Sequence, residues 1–153
     1  MASNYVVERS TMIDAAPSAV FKKVANLQEW DDWSPWAEKD PNMDVTHTGE
    51  PGAPGSSYAW KGNRDVGEGK MTVREVDEPD RVSIDLAFLK PFKSETVVDW
   101  LVRPADSGSQ VTWRMTGQHN LMSKVMGIFK SMDSMVGPDF EQGLAKLKNV
   151  MES

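Results

Sequence analysis

Residues Gly137 to Met151, GPDFEQGLAKLKNVM, are the stretch that decides the fold. Phe140, Leu144, Leu147 and Met151 recur at intervals of four, three and four, which is one apolar stripe of an amphipathic helix. Pro138 and Asp139 suit its first turn. The proline N–H would be an unpaired group there in any case, and an aspartate complements the helix dipole. Lys146 and Lys148 stand late in the helix, where cations are favoured. Gly143 is unfavourable in a helix interior and signals close approach to a neighbour. A long helix with one apolar stripe needs a surface to lie on. The stretch from Val45 to Gln118 supplies it, because nearly all of it reads as β-strand.

Three inward rows define that surface. Arg81 to Leu89 alternates cleanly, with Val82, Ile84, Leu86 and Phe88 inward and Ser83, Asp85 and Ala87 outward. Lys90-Pro91-Phe92 interrupts it. Thr96, Val98, Trp100 and Val102 form the second row; Val111, Trp113 and Met115 form the third, after a hairpin loop at 105–109. Upstream, Ser57 to Lys61 is a strand with Tyr58 and Trp60 on one face. Gly67 to Val76 is another, and its Gly67-Glu68-Gly69 start predicts a bulge or room for a bulky neighbour. The Gly/Pro-rich stretch 48–57 is a turn. Strands about ten residues apart, with turn signals between them, indicate an antiparallel meander.

Before the meander, Tyr5 to Ile13 reads as a strand. A helix then begins at 14–18, with Val20, Phe21, Val24 and Leu27 buried. Trp30, Trp33 and Trp36, spaced by three, allow one more helical turn broken at Pro35. They either cap one end of the core or line a ligand entrance. The expected fold is α+β: a curved antiparallel sheet of six or seven strands around a long C-terminal helix, as a single domain over 1–153.

Composition narrows the function classes. Hydrophobic and charged fractions of 39% and 26% are ordinary for a water-soluble domain. A net charge of −6 argues against nucleic acid and against stable association with anionic membranes. The absence of cysteine removes thiolate catalysis, disulfides and Cys-based metal sites. Without an apolar leader or an 18-residue apolar run, cytoplasmic location is expected. His47 and His119 are the two histidines, and neither has a partner at metal-ligand spacing, so no metal or cofactor is expected. Phosphate-loop and serine-elbow motifs are absent.

The order of elements and several stretches resemble the START-like helix-grip superfamily (SRPBCC), within it the polyketide cyclase/dehydrase and lipid-transport group. The stretches are IDAAPSAVF, EWDDWSPW, YAWKGN with VGEGKMTV, DRVSIDLAF, QVTWRMTG and the tail itself. The resemblance implies an apolar small-molecule partner, such as a lipid, polyketide or aromatic compound, held between sheet and tail helix. It implies two rivals: a cyclase or dehydrase acting on a bound polyketide-like substrate, and an interaction module like the family's co-chaperones. Monomer and weak dimer both remain open.

Tyr58, Trp60, Phe88, Trp100, Trp113 and Met115 are the sheet candidates for lining a pocket, with Phe140 and Leu144 opposite. The same residues could instead form a solid core. Phe92, Met126 and Phe129 join them from a portal formed by the loop at 90–92 and the methionine-rich segment 121–135, whose adaptable thioethers suit a gate. The acid–base candidates are Glu68, Asp99, Arg114 and His119, along with Tyr58. Strict alternation points Glu68, Asp99 and Arg114 outward, and a bulge at the flanking glycines would turn Glu68 inward.

Overall fold

In a computed structural model, the residues described are 4–34, 42–63, 67–90, 94–106, 108–118 and 132–152. The elements are β1 (Asn4–Ile13), α1 (Pro17–Ala25), a 3-10 turn (Leu27–Asp32), β2 (Asp44–Thr48), β3 (Ser57–Lys61), β4 (Glu68–Asp77), β5 (Arg81–Lys90), β6 (Ser94–Ala105), β7 (Gly108–Gln118) and α2 (Met132–Glu152). The strands make one antiparallel seven-stranded sheet in the order β1-β7-β6-β5-β4-β3-β2. His119, Phe92, Met126, Phe129 and Trp36 lie outside the described residues, as does most of the expected portal.

Cross-strand register aligns the inward residues into transverse rows. Val45, Trp60, Gly69 and Phe88 form an outer row. His47, Tyr58, Met71, Leu86, Thr96 and Gly117 form the next. Val73, Ile84, Val98, Met115 and Val7 follow, and then Val76, Val82, Trp100, Trp113 and Arg9. Burial deepens along β5, from half-buried Phe88 and Leu86 to fully buried Ile84 and Val82. The anticipated bulge is present as a register shift between Glu68 and Gly69.

The deep end of the concave face is filled. Trp100 stacks on Trp113 at 4.6 Å, and Trp113 stacks on Phe140 of α2 at 4.1 Å with rings 4° from parallel. Trp30, from the 3-10 turn, and Trp33, just after it, meet both sheet indoles near edge-on. Trp30 is anchored by its Nε1–H donating to the Val24 carbonyl at 2.8 Å. Trp30 and Trp33 therefore close one end of the core.

The helix α2 buries Phe140, Leu144 and Leu147, with Met151 half-buried, as the stripe predicts. Its start does not follow the expectation. The helix begins at Met132 and runs through Pro138, which lies in its interior and not in its first turn. A proline there removes one ladder bond from the second turn, and the loss is tolerated because tertiary packing holds the segment. A close approach is made at Gly137: the Arg9 guanidinium, reaching over from β1, occupies the space a Cβ would need. Arg9 Nε also pairs with Glu141 at 3.3 Å.

The far end of α2 ties off the open edge of β1. Lys148 Nζ donates to the Met12 carbonyl and to Glu152, both at 2.7 Å, and Glu152 accepts the Asp14 N–H at 2.8 Å. The Lys148 hydrogen bond, then the Asp14 N–H, hold the Glu152 carboxyl below its ordinary pKa. A carboxylate depressed in the folded state stabilises the fold above its unfolded pKa, and that contribution disappears as pH falls through the folded value. A carboxyl carbon titration should find Glu152 ionising below the usual glutamate range, and Lys148→Met should move it back up. An unchanged midpoint in the variant would refute the pairing.

Candidate functional site

Of the concave face, the half away from the tryptophan cluster is the candidate site. Its walls come from three neighbouring strands and β2. Alternation on β3 turns Tyr58 and Trp60 inward, and the β3–β4 register sets Gly69 directly opposite Trp60. Gly69 has no side chain, so the Trp60 indole lies across it and meets Phe88 near edge-on at 5.6 Å. Tyr58 is buried, whereas Trp60 and Phe88 are half-buried. Met71 and Leu86 continue the surface toward Met115. The three outer rows carry no aspartate, glutamate, lysine or arginine among the residues named above.

Several polar atoms on this face are buried without a hydrogen-bond partner among the described residues: Ser56 Oγ, Thr96 Oγ1, His47 Nδ1 and the indole nitrogens of Trp33 and Trp100. The two indoles belong to the closed cluster, where edge-to-face contacts set ring edges against aromatic faces. Thr96 and His47 lie in one transverse row with Tyr58 between them. A buried hydroxyl left unpaired costs about 1–3 kcal/mol. Thr96→Val should therefore leave urea stability unchanged or raise it by roughly 1 kcal/mol. A loss above that size would mean that the hydroxyl is satisfied in the free protein.

The sequence candidates separate into distinct surroundings. Trp100, Trp113 and Phe140 are stacked into the filled cluster, and Leu144 is buried beside it. Tyr58, Trp60 and Phe88 stand on the outer rows. Glu68 is half-buried at the end of β4, in register with Lys61 and Lys90. Arg114 and Asp99 lie on the opposite, convex face, where Arg114 pairs with Glu8 at 2.5 Å and Asp99 accepts from Ser83. Both point outward as alternation implies, but Asp99 is only 18% exposed and so is not a solvated charge. His47, which the sequence marks only as a histidine without a metal-ligand partner, lies in β2 with its side chain on the concave face. Its two-residue offset from Val45 is the signal that would have found it.

Two surface hollows flank this face and do not belong to it. One, of about 370 Å³, lies at the β4–β5 turn among Asp77, Asp80, Arg81 and Arg103. The other, of about 270 Å³, runs between β1 and α2, lined by Arg9, Thr11, Glu141, Leu144 and Lys148. Among the described residues, no group of three or more His, Asp or Glu side chains could hold a metal ion.

A family model described as polyketide cyclase/dehydrase and lipid transport matches residues 5–152. Among solved structures, ginseng major latex-like protein 151 from Panax ginseng is similar at TM-score 0.69 and 17% identity, covering 97% of each chain. A Chromobacterium violaceum protein superposes at TM-score 0.69 with 10% identity, again over 97% of each chain. The Aha1 dimer from Colwellia psychrerythraea gives TM-score 0.68 and 14% identity, over 97% of this chain and 96% of that one. At these identities the likeness is one of fold. No curated protein matches the sequence.

Proposed function

Because this chain belongs to the polyketide cyclase/dehydrase and lipid transport family, we propose that it binds a mostly apolar small molecule of lipid, polyketide or aromatic type on the outer half of the concave face. The observation that carries this reading is the contrast between the two halves. The deep half is filled by stacked rings, whereas Trp60, Leu86 and Phe88 of the outer rows stay half-buried, and the buried hydroxyl of Thr96, opposite Leu86, has no hydrogen-bond partner among the described residues. Apolar walls with a few polar atoms are the usual form of a small-molecule site. Among the described residues the outer rows carry no carboxylate or lysine, and their polar side chains are His47, Tyr58 and Thr96.

The interaction-module reading has less support. The exposed large apolar side chains among the described residues are Val6, Met12, Leu89 and Val150, spread over β1, β5 and α2, and a docking patch needs contiguity. Among the described residues no helix is long and apolar enough to cross a membrane.

Displacement of 1-anilinonaphthalene-8-sulfonate by lipids and polycyclic aromatics tests the proposal. Trp60→Ala with Phe88→Ala should weaken the displacing ligand by at least about tenfold, since each aromatic wall contributes on the order of 1 kcal/mol or more. Equal affinity in the double variant would place the ligand elsewhere.

A further inference from the structure

We infer that His47 is a specificity-determining residue of the proposed site, its Nδ1 accepting a hydrogen bond from the hydroxyl of an aromatic ligand. The inference rests on the binding reading above and names the ligand group that the site selects.

His47 lies in the edge strand β2, directly opposite Tyr58. Cross-strand partners share a face, so the imidazole stands at the end of the row that continues through Tyr58, Met71 and Leu86 to Thr96. The strand alternates, with Asp44, Thr46 and Thr48 exposed and Val45 and His47 half-buried. Tyr58 holds the imidazole edge-on, ring centroids 5.1 Å apart at 78°. That contact orients the ring without using Nδ1 in a hydrogen bond.

Nδ1 is buried and has no hydrogen-bond partner among the described residues. A histidine that serves only the core normally has its nitrogens satisfied by backbone, carboxylate or water. Neutral imidazole with its proton on Nε2 presents Nδ1 as an acceptor. The complementary group is a hydroxyl. The surfaces beside it are aromatic: Tyr58 leads to Trp60 at 6.4 Å, and Trp60 to Phe88. Flat walls with one acceptor at the end fit a planar ring that carries a phenol-type hydroxyl better than a flexible acyl chain.

Two probes of similar shape separate the ideas, 2-naphthol and 2-methylnaphthalene. The wild-type protein should bind 2-naphthol about five- to tenfold tighter, the range one net hydrogen bond supplies. In nitrogen-15 spectra, 2-naphthol should shift the His47 Nδ1 resonance and 2-methylnaphthalene should not. The two histidines of the chain are told apart with His119→Gln. His47→Phe should bring the affinity ratio close to one while 2-methylnaphthalene binding stays within about twofold; His47→Gln is the fallback if the phenylalanine misfolds. Binding of both probes with equal affinity and a still His47 resonance would overturn the role of His47 and leave the binding site standing. Binding of neither probe would overturn the role of His47, and the binding reading would then stand or fall on the lipid displacement above.

Discussion

Trp113→Ala is expected to cost about 3–5 kcal/mol, the range for removing a large buried aromatic side chain. Against a typical total of about 5–15 kcal/mol, that leaves the protein barely folded. The size follows from its position. Trp113 is stacked between Trp100 and Phe140 and is met near edge-on by Trp30 and Trp33. One indole thus joins the sheet, the 3-10 turn and α2. Its loss leaves a void bordered by rigid rings that cannot collapse to fill it, and it frees Phe140, the ring that docks α2. Urea denaturation should show the loss, and near-UV circular dichroism should lose most of its tryptophan signal. The helix should also become less protected from hydrogen exchange around 137–144. A cost below about 1.5 kcal/mol would mean that the cluster repacks freely, contrary to the interlocked geometry.

The sequence carried this cluster only in part. Alternation assigned Trp100 and Trp113 to the inner face, and helical spacing did the same for Phe140. Spacing gives the face, not the depth along it. Depth comes from register, which pairs Trp100 with Trp113 and Thr96 with Gly117, and register between strands is a long-range property. For the same reason the candidate residues could not be divided in advance into ring stackers and residues of the outer rows. The helix stripe was legible because its period is local. Its first turn was not, because packing of Arg9 on Gly137 and helix before it outweigh the boundary that Pro138 implies. Asp99 and Arg114 were legible as outward charges. His47 was not legible as an inward side chain, because a five-residue edge strand of mostly polar residues carries little periodic signal.

Gly69→Ala tests whether the aromatic wall of the candidate site depends on that missing side chain. A Cβ at Gly69 would stand 2.5 Å from the Ala87 carbonyl oxygen and 2.6 Å from the Trp60 indole. Both distances are well inside contact, so something must shift. Strand preference alone would make alanine better than glycine by roughly 0.5–1 kcal/mol. Overpacking of this kind costs about 1–3 kcal/mol and acts in the opposite sense. The carbonyl belongs to the β5 backbone and cannot move without disturbing the ladder, so the clash dominates. A net destabilisation of about 2 kcal/mol is expected. The indole part of the clash is separable. In a double-mutant cycle, Trp60→Ala should recover some of the loss and the Ala87 conflict should persist, giving a coupling of roughly 0.5–1.5 kcal/mol. Gly69→Ala should also turn Trp60 away from Phe88 and so weaken ligand binding beyond what its stability cost explains. If Gly69→Ala proved neutral or stabilising, Trp60 would have to move freely, and the wall formed by Trp60 and Phe88 would not be a preformed surface.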